Sequence, residues 1–165
     1  MTATYEKIAT NTLTTTTASI TFSSISGSYT DLVLIFQGGV DTSNGGLRME
    51  LNSDTGSNYS QTSLAGDGTS AASARNSNVT QARISSDFGM VNNLNYNSIT
   101  SLNNYSNSTT YKTWLSRNNL SSAGTESVIG LWRNTAAITS IKLVPSANSF
   151  ASGCTFTIYG ILKEA

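Results

Sequence analysis

The apolar residues of this chain arrive in short runs of β-branched and aromatic types, split by Ser, Asn and Gly, with little helical periodicity. That spacing points to sheets, because a period of two lines one face of a strand while a period near 3.6 lines one stripe of a helix. From Thr15 to Ser23, Ala18, Ile20 and Phe22 share one face, and Thr17, Ser19 and Thr21 share the other. This is the pattern of a half-buried strand. Asp31 to Gln37 (DLVLIFQ) is continuously apolar, as a strand covered on both faces would be. Gly38 and Gly39 end it. Asn44-Gly45, within the turn Asp41 to Gly46, is a strong hairpin signal. The chain then returns as Leu47 to Asn52, with Leu47, Met49 and Leu51 inward.

Further strands are expected at Tyr111 to Ser116, Ser127 to Arg133, Ile138 to Pro145 and Thr155 to Lys163. Weaker ones are Tyr5 to Thr10, Asn58 to Leu64, Ala82 to Ser86 and Asn97 to Leu102, and Ala65 to Gln81 reads as a long surface loop. About ten strands of this kind predict an all-β fold, an antiparallel β-sandwich that is jelly-roll-like. At 165 residues with no composition shift, the chain reads as residues 1–14, an N-terminal arm or edge strand, and residues 15–165, a single β-sandwich domain. The expected core is Ile20, Phe22, Leu32, Leu34, Phe36, Leu47, Met49, Trp114, Ile129, Leu131, Ile141, Leu143, Phe156 and Ile158.

Composition narrows function mainly by exclusion. Charged residues are 11% of the chain and the formal net charge is zero. Nothing marks a footprint for nucleic acid or an anionic membrane, and a near-neutral chain tends to self-associate. There is no histidine, which removes the commonest general base and a common metal ligand. Cys154 is the single cysteine, so no internal disulfide forms, and it reads as a small buried hydrophobe. The first residues lack the apolar stretch of a secretory signal, and no apolar run approaches the roughly 20 residues of a membrane helix. The expectation is a protein made in a cytoplasm.

No reactive constellation stands out. Lys7, Lys112, Lys142 and Lys163 lie in or beside strands with no nucleophile motif nearby, and are expected to blunt edges or face solvent. The acids, Glu6, Asp31, Asp41, Glu50, Asp54, Asp67, Asp87, Glu126 and Glu164, are scattered, so a glycosidase pair is disfavoured. The turn Asn52 to Asn58 spaces oxygens around Gly56 as a calcium loop does, but only Asp54 is anionic, which favours a solvated turn. No cofactor is expected. Asn-x-Ser/Thr triplets begin at Asn58, Asn78, Asn104, Asn107 and Asn119, as chance produces in so Asn/Ser-rich a chain. Trp114 and Trp132 sit within strands and read as core. Tyr59, Tyr96 and Tyr105 lie in polar stretches and are the candidate ligand-binding residues, since an amphipathic ring can stack on a sugar.

The segments Tyr5-Glu-Lys-Ile-Ala-Thr10, Ala18-Ser-Ile-Thr-Phe-Ser23 and Tyr29-Thr-Asp-Leu-Val-Leu34 together resemble small virion proteins of tailed bacteriophages, especially phages of aquatic bacteria. So do Leu47-Arg-Met-Glu-Leu-Asn52 with Asp54 to Tyr59, Asn104 to Asn107 through Tyr111 to Thr113, Gly130 to Asn134, and Gly153 to Gly160. The resemblance implies a jelly-roll sandwich, often trimeric, and a structural role with no catalytic residue. The expected function is a virion structural protein, foremost a capsid decoration or cement protein on the head. It would bind the major capsid protein or other virion proteins, with residues Met1 to Thr15 as the docking segment. The alternative is a tail or baseplate module holding a host glycan through Tyr59, Tyr96 and Tyr105.

Overall fold

The computed structural model describes residues 4–42, 44–85, 88–92, 94–120 and 122–162. Among the described residues there are twelve strands and no helix. The strands are β1 (Tyr5–Thr12), β2 (Ile20–Phe22), β3 (Asp31–Gly38), β4 (Leu47–Leu51), β5 (Tyr59–Gly66), β6 (Ala71–Val79), β7 (Ala82–Arg83), β8 (Tyr96–Asn103), β9 (Lys112–Leu120), β10 (Gly124–Trp132), β11 (Ile141–Pro145) and β12 (Thr155–Ile161). They form two antiparallel sheets, one of eight strands in the order β1-β12-β3-β8-β9-β10-β5-β6 and one of four in the order β2-β11-β4-β7. Their inner faces share one core, which makes the protein an antiparallel β-sandwich, as expected.

Period-two alternation builds the inner faces. In β9, Lys112, Trp114, Ser116, Asn118 and Leu120 point inward while Thr113, Leu115, Arg117 and Asn119 point out. At one end of the core, Phe36 packs against Phe156 with ring centroids 4.7 Å apart and against Phe150 at 5.7 Å. At the other, Tyr59 stacks on Trp132 at 6.3 Å and meets Trp114 edge-on at 6.4 Å. The indole N–H of Trp114 donates to the carbonyl of Arg83, tying β9 to the four-stranded sheet.

Two expected core positions are corrected. Ile129 is 55% exposed and Leu131 half-buried, while Val128 and Trp132 point inward. The run Val128-Ile-Gly-Leu-Trp132 is apolar throughout, so alternation alone does not fix its phase. Gly130 faces inward because the Trp114 ring occupies the space its side chain would take: a Cβ there would lie 1.9 Å from Trp114 Cζ2.

Other expectations also change. Asn44-Gly45 does not close a hairpin, because β3 and β4 belong to different sheets; Gly45 instead exchanges backbone hydrogen bonds with Met90. Residues 65–81 are not one long loop, since β6 pairs with β5 as the far edge of the large sheet. Small residues hid it from a reading keyed to large apolar side chains. The strand expected at Thr15–Ser23 is only Ile20–Phe22. Of the two readings of residues 1–14, arm or edge strand, Tyr5–Thr12 takes the second, pairing with β12 at the edge of the large sheet. Asp87, Lys163 and Glu164, named from the sequence, lie outside the described residues.

Candidate contact surface

Antiparallel sheets that face water usually alternate apolar-in and polar-out. The outer face of the eight-stranded sheet departs from this along one line. Ile35 (β3) pairs directly with Ile99 (β8), and Leu115 (β9) pairs directly with Ile129 (β10). Ile99 opposes Arg117, two residues from Leu115, and Ile129 opposes Thr62, two residues from Leu64. Direct and diagonal cross-strand neighbours lie within side-chain reach. The five aliphatics therefore form a continuous stripe across β3, β8, β9, β10 and β5, each between 36% and 57% exposed.

A shallow groove flanks the stripe on each side. One, of about 530 Å³, is lined by Leu64, Ile99, Arg117, Asn119 and Thr125 among others. The second, of about 380 Å³, is lined by Thr62, Arg75, Ile129, Leu131 and Arg133 among others. The Arg133 guanidinium is already held by Ser60, Asn78 and the Ser57 carbonyl. The outward positions of β8, β9, β10, β5 and β6 carry Arg75 and Arg117 and no carboxylate. Glu126 of β10 points inward and is buried. Asp31, the first residue of β3, accepts from the backbone N–H of Asn104 at 2.6 Å. Exposed aliphatics with interspersed arginine are the composition of a protein-contacting surface.

The three candidate ligand-binding tyrosines are elsewhere and do not come together on a surface. Tyr59, Tyr96 and Tyr105 are each fully buried, so none offers a ring to a sugar. Tyr59 and Tyr96 open β5 and β8 as inward residues. The Tyr59 hydroxyl accepts from the Leu51 N–H at 3.1 Å and donates to the Asp54 carbonyl at 2.9 Å, and burial pushes its pKa up. The Tyr105 hydroxyl donates to the Ser26 carbonyl. Flanking Asn and Ser give these residues the look of loop positions, but Tyr59 and Tyr105 each have a reachable partner for the hydroxyl, which makes a Tyr a good core residue.

The Asn52–Asn58 turn is closed on itself. Asp54 accepts from Trp132 Nε1 at 2.7 Å, Asn58 Nδ2 at 2.9 Å and the Gly56 N–H at 2.8 Å. Burial pushes its carboxyl up, but these donors outweigh it and hold the pKa below the ordinary carboxylate value. Its lone pairs therefore serve the fold. Among the described residues no three His, Cys, Asp or Glu side chains cluster as metal ligands would. Lys112 does not face solvent as expected: it is buried, and its Nζ donates to the carbonyls of Thr110 at 2.7 Å and Thr135 at 3.0 Å. Burial lowers its pKa. Cys154 is buried, hydrogen-bonded to the Gly39 backbone, and its thiol pKa is raised by burial.

The apolar stripe is hidden in the sequence because the runs that hold Ile35 and Ile129 are apolar throughout and read as covered, whereas both side chains are exposed. The signal that finds it is cross-strand: Leu115 must face out if Trp114 faces in, and its partner Ile129 must follow. No protein-family model matches the chain, and comparison with curated proteins finds no match.

Proposed function

We propose that this chain is a non-enzymatic structural protein of a tailed-bacteriophage particle, working by contact as a capsid decoration or cement protein on the head. The observation that carries the reading is the aliphatic stripe on the outer face of the eight-stranded sheet. The virion setting comes from the sequence resemblance alone.

The chemistry of the stripe selects the partner. Arg117 and Arg75 beside it call for carboxylates opposite, so the face proposed for the major capsid protein or another virion protein is apolar and acidic. Aliphatic rather than aromatic side chains favour a protein over a glycan, because sugars are held by stacking on rings. The glycan alternative rests on Tyr59, Tyr96 and Tyr105, and their burial removes that support.

Quantitative mass spectrometry of gradient-purified particles tests the role. The expected result is a copy number on the scale of the capsid lattice, and loss of the L64S/L115S/I129S variant from particles although it folds. Incorporation of that variant at the wild-type level would overturn the reading, and so would absence of the wild-type chain from particles.

A further inference from the structure

The eight-stranded sheet has two edges, and they are built differently. An edge strand presents unpaired N–H and C=O groups, which folded proteins usually blunt with charge, proline, a bulge or a cover. At β1 the sequence Tyr5-Glu-Lys7 supplies charges of both signs, and the register breaks between Lys7 and Ala9. At β6 nothing comparable protects the first half. Ala71, Ala72, Ser73 and Ala74 are uncharged and small, and Ala71 to Asn76 pair with β5 without interruption. The only bulge of that hairpin is at its other end, near Tyr59 and Val79. Residues 71–75 are exposed on both faces of the sheet, including Ala72 and Ala74, which oppose the buried Ala65 and Ser63. This edge overhangs the sandwich.

We propose that β6 pairs antiparallel with β6 of a second copy around a two-fold axis, joining two eight-stranded sheets into one. The occupant follows from charge and size. Arg75 is the single charged residue of β6. A self-pair centred on Ser73 sets Arg75 opposite Ala71 of the copy and Ala72 opposite Ala74, so no like charges meet. Small residues on both faces let the second strand approach without a clash. A two-fold contact uses one surface twice and closes on itself, so it needs no complementary sequence elsewhere. This contact is separate from the apolar stripe and goes beyond the role proposed for it.

Sedimentation velocity of the purified full-length chain across a concentration series tests the pairing. Wild type is expected to populate a dimer. A71K places a lysine opposite each Arg75 and weakens the dimer, whereas A71E places a carboxylate there and tightens it. Two symmetry-related pairs shift the dissociation constant by about threefold or more in each direction. A structural defect alone would not give opposite signs at one site. A wild-type chain that stays monomeric at its highest soluble concentration would overturn the proposal. A dimer indifferent to both variants would do so as well. If that dimer were instead lost in L64S/L115S/I129S, the stripe would be the self-contact, and the partner assigned to it would fall too.

Discussion

Gly130→Ala tests how the two sheets are fastened. A Cβ at Gly130 would lie 1.9, 2.2 and 2.3 Å from Trp114 Cζ2, Cε2 and Cη2. Carbon atoms pack best at about 3.5 Å or more, so the indole must retreat by roughly 1.6 Å. Trp114 is 2% exposed and its Nε1 reaches the Arg83 carbonyl at 3.1 Å, so a retreat of that size breaks this bond and disturbs the contact with Tyr59. Overpacking a core costs about 1–3 kcal/mol, and orphaning a buried donor and acceptor costs about 1–3 kcal/mol more. Against this, alanine restricts the unfolded chain by about 0.4–1 kcal/mol. The net loss is about 1–6 kcal/mol, a large part of the roughly 5–15 kcal/mol that holds an ordinary domain together. At about 2–4 °C per kcal/mol for this size, Tm falls by roughly 2–20 °C. Calorimetry gives the shift, and tryptophan emission reports whether the indole moves toward water. W114F relieves the clash, so the double variant W114F/G130A should lose less than the two single losses added together. A G130A melt within about 2 °C of wild type, or strictly additive losses, would refute the reasoning.

The remaining predictions concern the loops and the outer face. Asn52, at φ 52°, donates to the Ala137 carbonyl and accepts from the Thr139 and Ser140 N–H groups. N52A should therefore cost about 2–4 kcal/mol in a urea titration, while N52G, which tolerates the backbone angle, should cost less. The Asp54 pKa is lowered in the fold, so its contribution is complete above the unfolded carboxylate value near ~4 and is lost as pH falls through the folded value. The acid limb of the stability profile should accordingly be shallower in D54N. L64S, L115S and I129S touch only the exterior, so each should change stability by no more than about 0.5 kcal/mol in the isolated chain.

How far the sequence reveals this molecule depends on what each residue's neighbours supply. Strands with strict alternation, such as Leu47–Leu51 and Ile141–Leu143, carry their inward face in their own pattern. β10 does not, because its phase is set by the Trp114 ring lying over Gly130, a contact between strands. β6 was illegible for a different reason: Ala, Ser and Asn bury little, and its pairing is held by backbone hydrogen bonds to β5. Local polarity hides the three tyrosines as core residues: the Leu51 N–H and Asp54 carbonyl that pair with the Tyr59 hydroxyl and the Ser26 carbonyl that accepts from Tyr105 come from other parts of the fold, and Tyr96 is buried by its inward place on β8. The stripe is legible only once the strand register is known, since it crosses five strands and takes one residue from each.

Hydroxyl-radical footprinting of intact particles against the free chain tests the central claim most directly, because it reads the oxidation of Leu64, Leu115 and Ile129 side chain by side chain. Docking through the outer face of the eight-stranded sheet predicts that all three are strongly protected in the particle. Oxidation in the particle as fast as in the free chain would contradict it.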